Sequence, residues 1–141
     1  RPGRQCAHNL NYWRFGDYLG IGAGAHGKLT LGADQDILRR WKVKHPTAYL
    51  ATAGTPDSLG GDERIAPERR PFEFMLNALR LNQGFVMADF EAWTGLPSSR
   101  IAGQLRGAVA QGWLTLVDDH VAPTDLGRRF TNDVVALFLE Q

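Results

Sequence analysis

The sequence predicts an α+β fold with two unlike halves: extended segments and loops over residues 1–53, a linker over 54–69, and a winged-helix-like domain over 70–141. Three observations carry this reading. Apolar residues fall in short runs and alternations in the first half, but in stripes at i, i+3, i+4, i+7 spacing in the second. Between the halves lies GTPDSLGGDERIAPER, dense in Gly, Pro and charge. Near the end, two β-type runs flank Asp118-Asp119 as the arms of a hairpin. With 43% hydrophobic and 22% charged residues among 141, the composition is that of a globular chain able to bury a core.

In the first half, Tyr18-Leu19-Gly20-Ile21-Gly22 is a short apolar run of the buried-strand kind, and Lys28-Leu29-Thr30-Leu31 makes a second short strand. Across 36–44, Ile37, Arg39, Trp41 and Val43 alternate with Leu38, Arg40, Lys42 and Lys44. His45-Pro46 ends that segment, and Pro46 also suits the opening of a helix through Ala48-Tyr49-Leu50-Ala51.

In the second half, Pro71 fits a first helical position, and Phe72, Met75, Leu76 and Leu79 form a core-facing stripe that runs up to Gly84. A short helix follows from about Ala88 through Phe90 and Trp93 to Gly95. Pro97-Ser98-Ser99 offers hydroxyl caps to a third helix, in which Ile101, Leu105, Ala108 and Val109 share a face before Gly112. Trp113 to Val117 and His120 to Ala122 are the hairpin strands. Thr124 caps a final helix with Leu126, Phe130, Val134 and Leu137 inward. Three helices, a two-stranded wing and a closing helix make the winged-helix pattern, with 99–112 in the place of a recognition helix.

Charge argues against nucleic acid as the partner. Residues 1–70 hold 11 Lys or Arg against 7 Asp or Glu, net +4, whereas 71–141 hold 5 against 8, net −3. The recognition-helix position offers only Arg100 and Arg106, too few to neutralise a row of phosphates. No apolar run approaches the ~18 residues of a membrane span, and RPGRQCAHN lacks an apolar signal core, so the expected compartment is the cytoplasm. The chain begins at Arg1 rather than Met and is expected to be a piece of a longer protein.

Two stretches carry candidate chemistry. YLGIGAGAHGKL satisfies G-x-G-x-x-G through Gly22, Gly24 and Gly27, and nearly matches a phosphate loop through Gly27 and Lys28. Leu29 stands where magnesium needs Ser or Thr, and no helix start follows, so neither nucleotide signature holds. What remains is small-residue backbone, suited either to close approach by a ligand or to tight packing of a strand end. The second stretch, HNLNYW, follows His8 with Asn9 and Asn11, able to fix its tautomer, and with Tyr12 and Trp13, offering flat aromatic faces. Haem fits that inventory, and so does a hydrogen-bonded loop whose Tyr12 and Trp13 fill the core. His45 and His120 read as solvated surface residues.

Together HNLNYW and DYLGIGAGAHGKL resemble the HNxxYW and YLGIGAGAHG segments of the oxygen-independent coproporphyrinogen III oxidase-like radical S-adenosylmethionine proteins, and among them the HemW-like haem-chaperone branch. RPFEFM at 70–75, TGL at 94–96, QGWL at 111–114 and TDLG at 124–127 are similar to that family's C-terminal domain. The resemblance implies the last strand or strands of a partial (β/α) radical SAM barrel followed by a winged-helix-like cap. It implies haem held by His8 with support from Asn9, Tyr12 and Trp13, and the adenine of S-adenosylmethionine beside Gly24, Ala25 and His26. The parent would carry a 4Fe-4S cluster, S-adenosylmethionine and haem, with porphyrinogen oxidation as the alternative activity. The family's CxxxCxxC is absent here, Cys6 being the single cysteine, so this chain is expected to bind no cofactor and to be inert in radical chemistry. The partners implied are haem, the rest of the barrel and haem-acceptor proteins. Any homo-oligomer is expected to form through the unpaired barrel segment in residues 1–60. A free-standing winged-helix regulator is the reading of another class.

Overall fold

The computed structural model describes residues 6–32 and 35–139. The first helix, α1 (Ala7–Trp13), closes when the Gly16 N–H reaches the Asn11 carbonyl at 2.9 Å, with Phe15 left-handed at φ 61°. Next come β1 (His26–Leu31), β2 (Asp36–Lys42), α2 (Pro46–Thr52), which has Pro46 in its first turn, and β3 (Leu59–Ile65). The second half runs α3 (Arg70–Ala78), β4 (Phe85–Val86), α4 (Met87–Thr94), α5 (Ala102–Ala110), β5 (Leu114–Val117), β6 (His120–Pro123), α6 (Asp125–Arg129) and α7 (Thr131–Ala136). The α+β class stands.

The chain forms two compact units, one of residues 17–66 and one that joins α1 to the second half. In the first, β1, β2 and β3 make an antiparallel sheet in that order, with Ile37 facing Leu29's neighbour Thr30 on one side and Ile65 on the other. Ile37 and Ile65 are both buried. In the second, β6 lies between β4 and β5, pairing Phe85 with Val121 and Leu116 with Val121 in turn. The hairpin turn is made by Asp118 and Asp119, both left-handed, at φ 48° and 64°.

The core of the helical unit is organised around Phe74. Its ring meets Phe15, Phe85 and Phe90 edge-on at 5.7, 5.0 and 5.3 Å between centroids, and all four are buried. Such aromatic pairs add about 0.5–1.5 kcal/mol each beyond the area they bury. The buried Arg70 guanidinium donates to the Thr94 carbonyl at 2.8 Å, and the Thr94 hydroxyl donates to the Phe90 carbonyl at 2.6 Å. These bonds satisfy carbonyls at the end of α4, where Gly95 turns left-handed at φ 69°.

Five sequence expectations are corrected. Residues 54–69 are not a linker, because β3 runs through them on the edge of the sheet. The Gly60-Gly61 pair that signals a loop is a packing device: a Cβ on Gly61 would come within 2.5 Å of the Trp41 ring. Nor does the boundary at 53 coincide with a unit, since α1 groups with the second half. The Tyr18–Gly22 run forms one isolated bridge, Tyr18 to Lys28, and leaves Leu19 73% and Ile21 87% exposed. The Ser98 and Ser99 hydroxyls cap nothing; the Glu91 carboxylate instead accepts the Ser98 N–H at 2.8 Å, which holds its pKa below the usual value. The final helix breaks at Phe130 into α6 and α7, and Leu126 and Phe130 are exposed while Val134 is buried.

Candidate functional site

HNLNYW folds as most of α1 rather than as a loop. His8 and Tyr12 are one turn apart, so their side chains meet. The Tyr12 hydroxyl and His8 Nε2 are 2.9 Å apart, with the rings edge-on at 4.4 Å between centroids. His8 and Asn9 are exposed, and Tyr12 and Trp13 are half-buried. The contact has two proton arrangements. When the Tyr12 hydroxyl donates, the imidazole proton sits on Nδ1 and neither nitrogen is free. When Nε2–H donates to Tyr12 Oη, Nδ1 presents an open lone pair, and Tyr12 becomes the outer partner that fixes a metal-ligating tautomer.

Trp13 belongs to a different surface. It lines a cleft of about 430 Å³ in the helical unit, together with Asn11, Trp93 and His120. The structure therefore brings His8 and Tyr12 together and places Trp13 elsewhere. His120 is exposed, as expected, yet it also borders this cleft.

The glycine run is a loop that feeds β1, with Gly22 and Gly24 at φ 112° and 68°. Its polar groups are largely used within the unit. The Gly24 N–H donates to the Val43 carbonyl at 2.9 Å, the Ala25 N–H to Gly22 at 3.2 Å, and the Ala25 carbonyl accepts from Lys42 N–H at 2.9 Å. His26 is exposed, and its ring lies 6.3 Å from that of Trp41, its cross-strand partner. Ala25 lines a cleft of about 290 Å³ with Tyr18, Leu29, Arg40, Trp41 and Tyr49; Gly24 and His26 do not border it. The Tyr49 hydroxyl accepts the Gly22 N–H at 3.2 Å, tying the loop to α2.

Lys28, the phosphate-loop lysine of the sequence pattern, is committed elsewhere. Its Nζ is buried and donates to Asp17 Oδ1 at 2.9 Å and to Thr30 Oγ1 at 3.3 Å. Asp17 also accepts the Thr30 N–H and hydroxyl, each at 2.8 Å. Burial works to raise the Asp17 carboxyl, but the Lys28 and Thr30 hydrogen bonds outweigh it and hold the carboxyl below its ordinary value. For Lys28 burial dominates and moves the ammonium down, against the pull of Asp17. The pair pins the start of the glycine loop to β1. Its only signal in the sequence is an acid eleven residues before a lysine, which marks nothing without the fold.

Among the described residues no group of three His, Cys, Asp or Glu is placed to hold a metal ion. Cys6 is exposed and is the chain's single thiol, so the donor set does not fit a 4Fe-4S cluster, and no step is derived through one. No helix of the described residues is long and apolar enough to cross a membrane.

Comparison with known proteins places these elements. Residues 65–130 match the HemN C-terminal domain. The whole chain aligns with "Heme chaperone HemW" of Escherichia coli at 43% identity and of Haemophilus influenzae at 41%, covering 36% of each. A Mycobacterium tuberculosis protein of the same name is 33% identical over 99% of this chain and 33% of its own length. The structure is similar to the Escherichia coli coproporphyrinogen III oxidase HemN, described as a radical SAM enzyme, with a TM-score of 0.55 over 87% of this chain and 28% of that one. At 15% identity this shows a shared fold. The chain spans about a third of the length of these HemW relatives, and it is HemW-like over its whole length, with the HemN C-terminal domain in its second half.

Proposed function

We propose that this chain is the part of a HemW-like protein that contacts haem, in a parent that binds haem and hands it to acceptor proteins. The single observation that carries the reading is the exposed His8 imidazole held by Tyr12 at 2.9 Å on α1. It is supported by relatives named heme chaperones over the whole chain. In this arrangement Nε2–H donates to Tyr12 Oη and Nδ1 is the iron ligand, with Asn9 beside it on the exposed side of the helix. An exposed ligand suits a cargo that must leave, because the iron can be reached by a competing ligand from the acceptor.

Within the same reading, the second half is a winged-helix-like cap, and residues 17–66 include the end of a partial barrel. That reading is supported by the order of α3, β4, α4, α5, β5 and β6. The glycine loop lies beside the adenine of S-adenosylmethionine, through Gly24, Ala25 and His26. Because the loop's own polar groups are largely bonded, that contact is chiefly one of shape; of the three residues Ala25 lines the cleft, while Gly24 and His26 stand outside it. The cluster is supplied from outside this chain, and the chain by itself performs no radical chemistry. The parent works in the cytoplasm.

Haemin titration read at the Soret band tests the haem site. His8→Ala is expected to weaken binding and shift the band, and Tyr12→Phe to cost about 10-fold or more through loss of the orienting partner. A His8→Ala spectrum and affinity identical to wild type would remove His8 from the site.

A further inference from the structure

The cleft of the helical unit joins elements far apart in sequence: Trp13 and Arg14 at the end of α1, Trp93 on α4 and His120 at the start of β6. Buried Phe74 and Phe85 contribute to its lining. The position of His120 is set by the backbone, since it pairs with Val86 of β4 while Val121 pairs with Phe85. The cleft thus offers two indoles for a macrocycle, an apolar floor, a guanidinium for a propionate and an imidazole for iron, with the Asp89 carboxylate also on its lining. Its volume of about 430 Å³ is at the low end for ligand pockets, so it takes one edge of a large flat ligand rather than enclosing it.

We propose that this cleft seats an edge of the haem macrocycle and that His120 supplies an imidazole nitrogen to the iron. The inference rests on the reading that the chain binds haem, but not on His8, which lies outside the cleft lining. Trp13 and Trp93 act on the porphyrin, whereas His120 acts through the metal. That difference gives each residue its own readout.

The test is paired titration of the 141-residue chain with haemin and with metal-free protoporphyrin IX, using wild type, His120→Ala, Trp93→Ala and His8→Ala. His120 is exposed, so its replacement should leave the fold intact, with circular dichroism as the check. Expected for His120→Ala is a shifted Soret band and haemin binding weakened about tenfold, a loss of about 1.4 kcal/mol, with protoporphyrin IX binding unchanged. Trp93→Ala should weaken both ligands; should that variant unfold, the His120 comparison decides alone. A wild-type spectrum and haemin affinity in His120→Ala overturn the proposal. If only His8→Ala has an effect, the haem reading survives and this site falls. If only His120→Ala has one, His8 falls and the cleft stands. Absence of haemin binding by wild type removes both.

Discussion

Gly103 and Gly107 in α5 should be replaceable by alanine with a gain in stability. Both lie inside a helix, neither has a positive φ, and a Cβ built on either meets no atom within 4 Å. Nothing in the unit requires glycine there, so the cost of glycine in a helix interior, ~0.8–1 kcal/mol relative to alanine, is open to recovery at each position. The double variant should then gain about 1.5–2 kcal/mol. For a unit of this size, each 1 kcal/mol moves Tm by about 4–8 °C. Gly84 is the control with the opposite sign. It sits at φ 72°, and a Cβ there would fall 1.8 Å from the Val121 carbonyl oxygen, against the strand that pairs with β4. Gly84→Ala must push β4 off β6 or unfold the unit. Thermal and urea unfolding followed by circular dichroism, with Phe85 amide exchange as the local probe, distinguishes the cases. A Gly103→Ala/Gly107→Ala double variant with unchanged or lowered Tm would refute the reasoning, because it would mean that something packs on that face which the unit alone does not contain.

Two further predictions follow from the packing and the buried pair. Phe74→Ala should destabilise the helical unit by about 3–5 kcal/mol, through lost burial and the loss of its three edge-on ring contacts; a loss under about 1 kcal/mol by urea unfolding contradicts Phe74 as the centre of the core. Asp17, with a carboxyl below its ordinary 3.8, contributes stability that is fully present above that value and lost as pH falls through its lower folded-state value. Lys28 stays charged across that acid range, so the slope belongs to Asp17. NMR titration of the Asp17 carboxyl should give a midpoint below 3.8, and Asp17→Asn should flatten the acid limb of the stability profile; a midpoint at or above 3.8 contradicts the pairing.

The second half was legible because its signals are local. Of the predicted stripe Phe72, Met75, Leu76 and Leu79, Met75 and Leu79 are buried, while Phe72 and Leu76 are half-buried and Phe74 takes the centre of the core; the Asp118-Asp119 turn and the Thr124 cap depend on residues within about one turn of one another, and both appear in the fold, the Thr124 hydroxyl accepting the Gly127 N–H at 3.0 Å. The first half was less so because its determinants are not local. Gly60 and Gly61 signal a loop by composition, and only the Trp41 ring, twenty residues away, explains them as strand residues. Tyr18-Leu19-Gly20-Ile21-Gly22 has the composition of a buried strand, but among the described residues only its Tyr18 finds a strand partner. Lys28 shows the same limit in chemistry, since its neighbours in sequence suggest phosphate and its neighbour in space is Asp17.

HNLNYW divides between two surfaces a set of residues that its linear string puts together. As a linear string it puts His8, Asn9, Tyr12 and Trp13 together, and a loop could gather all four around one ligand. Helical geometry forbids that: at 3.6 residues per turn, Tyr12 returns to within about 40° of His8, whereas Trp13 is turned about 140° away. The motif therefore serves two surfaces, an exposed imidazole with its orienting phenol on one side and an indole in a cleft with Trp93 and His120 on the other. A ligand touching both would have to wrap the helix, which a rigid planar macrocycle cannot do. On the proposed haem reading the two surfaces are alternatives or successive stations for the same cargo, and loss of haemin binding in His8→Ala alone, in His120→Ala alone, or in part in each, tells them apart.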